Sequence, residues 1–116
     1  MTTSACCNVE IFETPIACRL DAIPASDRPR YDELRRMLAS AAVGKCELPN
    51  GIEVQISTDR MALAQLAEWI SFERKCCPFL DFRIDVAPES GPVWVSLTGR
   101  VGVKEFLKHA FGSSSA

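Results

Sequence analysis

Asn50-Gly51 stands between two runs in which apolar and polar residues alternate. Cys46 and Leu48 alternate with Lys45 and Glu47 before it, and Ile52, Val54 and Ile56 alternate with Glu53, Gln55 and Ser57 after it. A period of two places every second side chain on one sheet face. An Asn-Gly pair accepts the positive φ that a tight hairpin demands, so this stretch predicts an antiparallel β-hairpin. A second pair obeys the same rule. Leu80, Phe82, Ile84 and Val86 alternate with Asp81, Arg83 and Asp85, residues Ala87 to Pro92 form a turn, and Val93, Val95 and Leu97 return. Ile16, Cys18, Leu20 and Ala22 alternate as well, between Pro15 and Pro24, which predicts a further strand.

Between these runs the period changes. Tyr31, Leu34, Leu38 and Ala41 recur at steps of three and four, after Ser26 or Asp27 as cap and Pro29 in the first turn. That helix is expected to run to about Ala42 and to be closed by Gly44. A second helix is expected from a cap at Thr58 or Asp59. Leu63, Leu66, Ile70 and Cys77 lie on one face, broadened by Ala62, Ala67 and Trp69. Pro78 lacks an amide proton and disfavours helical geometry at the residue before it, so the helix stops near Cys76 or Cys77. Val103, Phe106, Leu107 and Ala110 mark a last helix. The order β-α-β-β-α-β-β-α predicts an α+β two-layer sandwich, a mainly antiparallel sheet of about five strands with its helices on one face. Gly51, Thr58 and Arg60 match Gly91, Thr98 and Arg100 at one fixed offset, a hint of internal repetition.

A chain of 116 residues is one domain by length, large enough for a single core without covalent staples. Residues 1–13 read as a mobile N-terminal segment, 14–111 as the domain, and 112–116 as a Ser-rich tail. A net charge of -2 excludes a general nucleic-acid binder. Arg28, Arg30, Arg35 and Arg36 crowd one segment, but Asp27, Asp32 and Glu33 are interleaved, the pattern of a solvated helix face with internal ion pairs. No apolar run approaches the roughly 20 residues of a membrane span, and the first residues lack a secretory pattern. A cytoplasmic location is therefore expected, with the six cysteines as thiols.

The chemistry concentrates in Glu73-Arg74-Lys75-Cys76-Cys77-Pro78-Phe79. Two adjacent thiols fall where a helix must stop, and Glu73 continues the apolar stripe three residues after Ile70 and four before Cys77. A carboxylate there needs a partner, with Arg74 or a distant arginine as the structural choice. A helix C-terminus and a nearby carboxylate both disfavour a thiolate, so a spontaneously reactive nucleophile is not expected. A bound metal ion changes this by deprotonating the thiol, and paired thiolates favour soft ions. Cys76 and Cys77 are thus candidate ligands for an ion such as zinc or copper(I), with Glu73 completing the thiol site. A disulfide between neighbours would be strained, since their Cα atoms sit nearer than the bridge geometry wants.

Other residues carry weaker signals. No C-x-x-C spacing of a structural zinc site occurs, and His109 is the sole histidine. Cys18 and Cys46 fall in phase with inward strand positions and read as small core side chains. Cys6-Cys7 is a second vicinal pair. The turn Thr98 to Lys104 could seat an anion at a helix N-terminus but lacks the P-loop pattern. No G-x-S-x-G or H-E-x-x-H motif is present, and enzymatic activity is not the expectation.

The run Glu73-Arg74-x-Cys76-Cys77-Pro78-Phe79 resembles a signature shared by small bacterial proteins with an E-R-x-C-C-P-F motif. The segments Leu80 to Val86, Val93 to Gly99 and Gly102 to Leu107 are similar to the stretches downstream of the motif in those proteins. The resemblance covers roughly Cys46 to Ala110 and carries no catalytic role. Two functions remain open from the sequence. One is a thiol protein that binds a soft metal or responds to redox state through Cys76 and Cys77 near Glu73. The other is a non-enzymatic structural or oligomerising domain in which these cysteines pack beneath Phe79. Trp94, out of phase with Val93, Val95 and Leu97, falls on the opposite sheet face and is a candidate anchor for a homodimer.

Overall fold

A computed structural model describes residues 15–112. The expectations for residues 1–13, including Cys6-Cys7, and for the Ser-rich residues 113–116 lie outside the described residues.

Helix α1 spans Arg28–Ala41 and α2 spans Leu63–Cys76. Each is followed by a hairpin, β1 (Ala42–Leu48) with β2 (Gly51–Ile56) and β3 (Asp81–Val86) with β4 (Val93–Thr98). A short α3, Val103–Leu107, widens into a π-turn over Lys108–Gly112. The sheet is antiparallel with four strands in the order β1-β2-β4-β3. The second strand of each hairpin therefore lies in the middle, and the repeating unit is helix then hairpin. The α+β two-layer architecture stands, with one strand fewer than expected.

The missing strand is the segment around Cys18. Ile16 to Ala22 forms no strand; Leu20–Ala22 and Ala25–Asp27 are single 3₁₀ turns, and Leu20 is 44% exposed. An apolar-polar alternation this short, between prolines, also suits a strap whose backbone bonds elsewhere. Here the Arg19 amide donates to the Cys76 carbonyl at 2.8 Å, tying the strap to the end of α2.

The inner sheet face carries Ile52, Ile56, Val93, Val95 and Leu97, all buried against Leu34, Leu66 and Trp69 of the helical layer. Burying one such aliphatic side chain contributes about 1.5–3 kcal/mol. The buried stripe of α2 is Leu66, Trp69, Glu73 and Cys76, whereas Leu63 is 41% exposed. The stripe is thus rotated from the expected one towards Trp69. Ala62, rather than Thr58 or Asp59, precedes the first helical turn, and its amide donates to Gln65 Oε1 at 2.9 Å.

Two local corrections concern β1. Ala42 already has extended geometry, so α1 runs directly into β1 and Gly44 lies inside the strand. The register slips between Ala42 and Gly44, where the strand leaves α1. The hairpin pairs Leu48 with Gly51 and so sets Cys46 opposite Glu53, where it is exposed, contrary to the inward position its phase predicted. Lys45 and Glu47 take the inward phase on this edge strand, where Glu47 pairs with Lys104 at 3.1 Å. Inward charges on an edge discourage pairing with another sheet.

The first hairpin forms as predicted, but its loop is Pro49-Asn50, with Leu48 opposite Gly51. Gly51 is required for space instead. A Cβ at this position would collide with the Leu97 carbonyl and lie 2.8 Å from Thr98 Cα in the neighbouring β4. Gly51→Ala must push the two central strands apart and is expected to destabilise the fold by about 1–3 kcal/mol, the range of overpacking. Urea unfolding checks this: a midpoint equal to wild type would contradict the close approach.

Candidate functional site

Helix α2 ends at the two thiols because Pro78 cannot continue it. The Cys77 amide still donates to the Glu73 carbonyl at 2.7 Å, while Cys77 itself leaves helical geometry with φ -127° and ψ 73°. This turn directs both adjacent sulfurs inward; Cys76 and Cys77 are 0% and 2% exposed. The strap then brings a third thiol. Cys18 Sγ lies 2.7 Å from Cys76 Sγ, and the sulfurs of Cys18, Cys76 and Cys77 all lie within 4.8 Å of one another. This group of three could hold a metal ion.

Glu73 is buried as its position on the stripe predicted, but its partner is neither Arg74 nor any other arginine in direct contact. Tyr31 Oη of α1 donates to Glu73 Oε1 at 2.6 Å, within the buried seam between the two helices. Arg35 lies one turn later on α1, with its guanidinium 5.7 Å from the Tyr31 ring centroid. The two helices are further joined on their solvent side by Arg30, which meets Glu68 at 2.6 Å and 2.9 Å through two guanidinium nitrogens. Arg30 also bonds Glu33 at 2.8 Å, the internal ion pairing that the charge pattern predicted.

Burial raises the pKa of every group shifted in this cluster. Desolvation, then hydrogen bonding to Cys76 and the charges of Cys76 and Glu73, push the Cys18 thiol up to about 11. Desolvation and then the Glu73 carboxylate raise Cys77 further. The Tyr31 hydroxyl is raised by burial and by its bond to Glu73. These groups are therefore neutral donors at pH 7, and no preformed thiolate nucleophile arises at Cys18 or Cys77.

A cavity of about 230 Å³ opens beside the thiols, lined by Cys18, Cys77, Tyr31, Arg35, Glu73 and His109, together with Phe106, Ala110 and Phe111. His109 thus reaches the cavity wall although its side chain is exposed and outside the thiol group. A larger cavity, about 460 Å³, lies between α1, the sheet and the C-terminal turn; its walls are mainly apolar and include no thiol. Arg35 borders both.

The sequence placed Cys76, Cys77 and Glu73 together, and the structure does so too. It adds Cys18, Tyr31 and Arg35. Cys46 stands apart on the outer sheet face, opposite Glu53. Trp94 is half-buried on that outer face, between Gln55 and Asp85, so the ring is flanked by polar neighbours. No helix among the described residues is long and apolar enough to cross a membrane. No family model, curated protein or solved structure matches the chain.

The Glu73 carboxyl is held above the ordinary carboxylate range by burial, against the opposing effects of the Tyr31 hydrogen bond and the Arg35 charge. Its proton is retained to higher pH in the native state than in the unfolded chain. Stability therefore falls as pH rises from the ordinary carboxylate range through the raised value. Glu73→Gln keeps an acceptor for Tyr31 and removes the titration. Wild type should lose stability relative to this variant between pH 4 and pH 7. Urea midpoints of both proteins across that interval test the sign; a wild type that gains on the variant would show an ionised, well-compensated carboxylate.

Proposed function

We propose that the protein binds a soft, thiophilic metal or metalloid ion through Cys18, Cys76 and Cys77. The observation that carries this reading is the convergence of three sulfurs from segments 58 residues apart. A metal about 2.3 Å from each sulfur separates them by roughly 3.8–4.0 Å, a spacing reached by small side-chain adjustments. Thiol ligands select soft ions over magnesium or calcium.

Packing alone accounts less well for the arrangement. Cys18 is exposed although its sulfur reaches Cys76, and Cys77, although part of the buried core, also borders a cavity. Small core side chains would need neither feature. The Tyr31–Glu73 hydrogen bond joins α1 to α2 one turn before the two thiols. No catalytic step is assigned to Tyr31 or Glu73.

Reduced full-length protein titrated with zinc, copper(I) and arsenite against a competing chelator or dithiol should bind at least one of them at one ion per chain. Bound ion should protect Cys18, Cys76 and Cys77 together from alkylation. Cys76→Ser/Cys77→Ser should abolish binding, and Cys46→Ser should leave it unchanged. Equal binding in wild type and in the Cys76/Cys77 double variant would contradict the reading.

A further inference from the structure

We propose that the ion this site is built for is a trivalent, three-coordinate metalloid of the arsenite class, bound by one bond to each of Cys18, Cys76 and Cys77. This rests on the soft-ion reading above and names its occupant.

The number of donors comes first. The group contains three thiols, and among the described residues no histidine or carboxylate joins it as a fourth ligand. Glu73, the nearest carboxylate in the chain of contacts, is engaged by the Tyr31 hydroxyl at 2.6 Å. A structural zinc site closes with four ligands. A trivalent metalloid needs three, and its fourth position is a lone pair that seeks no donor.

Shape points the same way. A lone pair compresses the other bond angles, so a pyramidal centre draws its three sulfurs closer together than a planar or tetrahedral one. Cys18 Sγ and Cys76 Sγ, 2.7 Å apart, must separate for any such centre, and the pyramidal one asks for the smallest movement. The cavity beside Cys18 and Cys77, walled by Phe106 and Phe111 as well as by Tyr31, Arg35, Glu73 and His109, leaves room for a lone pair on that side of the sulfurs.

Charge is the third argument. Two of the three sulfurs are buried near Glu73, with Arg35 and His109 in the wall of the adjoining cavity. Three thiolates around a divalent ion keep one net negative charge, and around a monovalent ion two; burying uncompensated charge is costly. Around a trivalent centre the unit is neutral. The reaction balances without an oxidant. Arsenous acid carries three hydroxyl groups; each leaves with one thiol proton as water, three sulfur–arsenic bonds replace three oxygen–arsenic bonds, and no electrons are transferred.

X-ray absorption of reduced wild-type protein loaded with arsenite counts the bonds directly. Three sulfur neighbours and no oxygen are expected. Phenylarsine oxide, which can bond only two sulfurs, supplies the second arm. Cys18→Ser should reduce arsenite to two sulfur neighbours and one retained oxygen while leaving phenylarsine oxide on Cys76 and Cys77. Two sulfurs and a retained oxygen in wild type would overturn the proposal, whatever the variant does. Zinc or copper(I) bound by all three thiols and not displaced by arsenite would overturn the metalloid and leave the soft-ion reading intact. Failure of arsenite, zinc and copper(I) alike to bind would remove both.

Discussion

The end of α2 at Cys77-Pro78 is the constraint on which the site depends. A proline after Cys77 removes the next helical hydrogen bond and turns the chain out of the helix. The carbonyl of Cys76 is then left for a partner outside the helix, and the Arg19 amide supplies it at 2.8 Å. One backbone bond thereby fixes the strap and, next to it, Cys18. The same turn places Cys76 and Cys77 inward on consecutive residues, which regular helix would point about 100° apart. Two local features, a helix stop and an unsatisfied carbonyl, are enough to gather three thiols.

The second layer of the site comes from helix packing. Tyr31 and Glu73 lie on the buried stripes of α1 and α2, so bringing the helices together over the sheet brings a phenol to a carboxylate. A buried carboxylate without a hydrogen-bond donor would be strongly unfavourable; with Tyr31 it becomes a fixed point that sets how α1 and α2 meet. Arg30 and Glu68 repeat the connection at the surface. The local field that results, a carboxylate behind sulfur, disfavours thiolate chemistry and favours occupants that supply positive charge to the sulfurs.

Much of this was legible in the sequence, and the parts that were not have physical reasons. Both hairpins follow from a period of two, the stop of α2 follows from Pro78, and Glu73 stands out by its place on an apolar stripe. The bulge between Ala42 and Gly44 has no sequence signal of that strength, and the outward face of Cys46 comes from the pairing of Leu48 with Gly51, which the alternation inside its own strand does not reveal. The strap around Cys18 has the alternation of a strand because two of its residues, Ile16 and Ala22, are partly covered while the backbone pairs with no strand. Cys18 therefore looked like a core residue. Its meeting with Cys76 spans 58 residues and is set by the Arg19 bond, which no spacing rule contains. Tyr31 was correctly placed on the buried face of α1; that its hydroxyl meets Glu73 depends on how the two helices are rotated against each other.

The central claim is that three named sulfurs act as one ligand set. Cadmium is a soft spin-active probe of that set, and scalar couplings pass only through cadmium–sulfur bonds. In the cadmium-113 protein, the account predicts one metal resonance coupled to the β-protons of Cys18, Cys76 and Cys77. Coupling to Cys76 and Cys77 without Cys18, or to any cysteine outside these three, would contradict it.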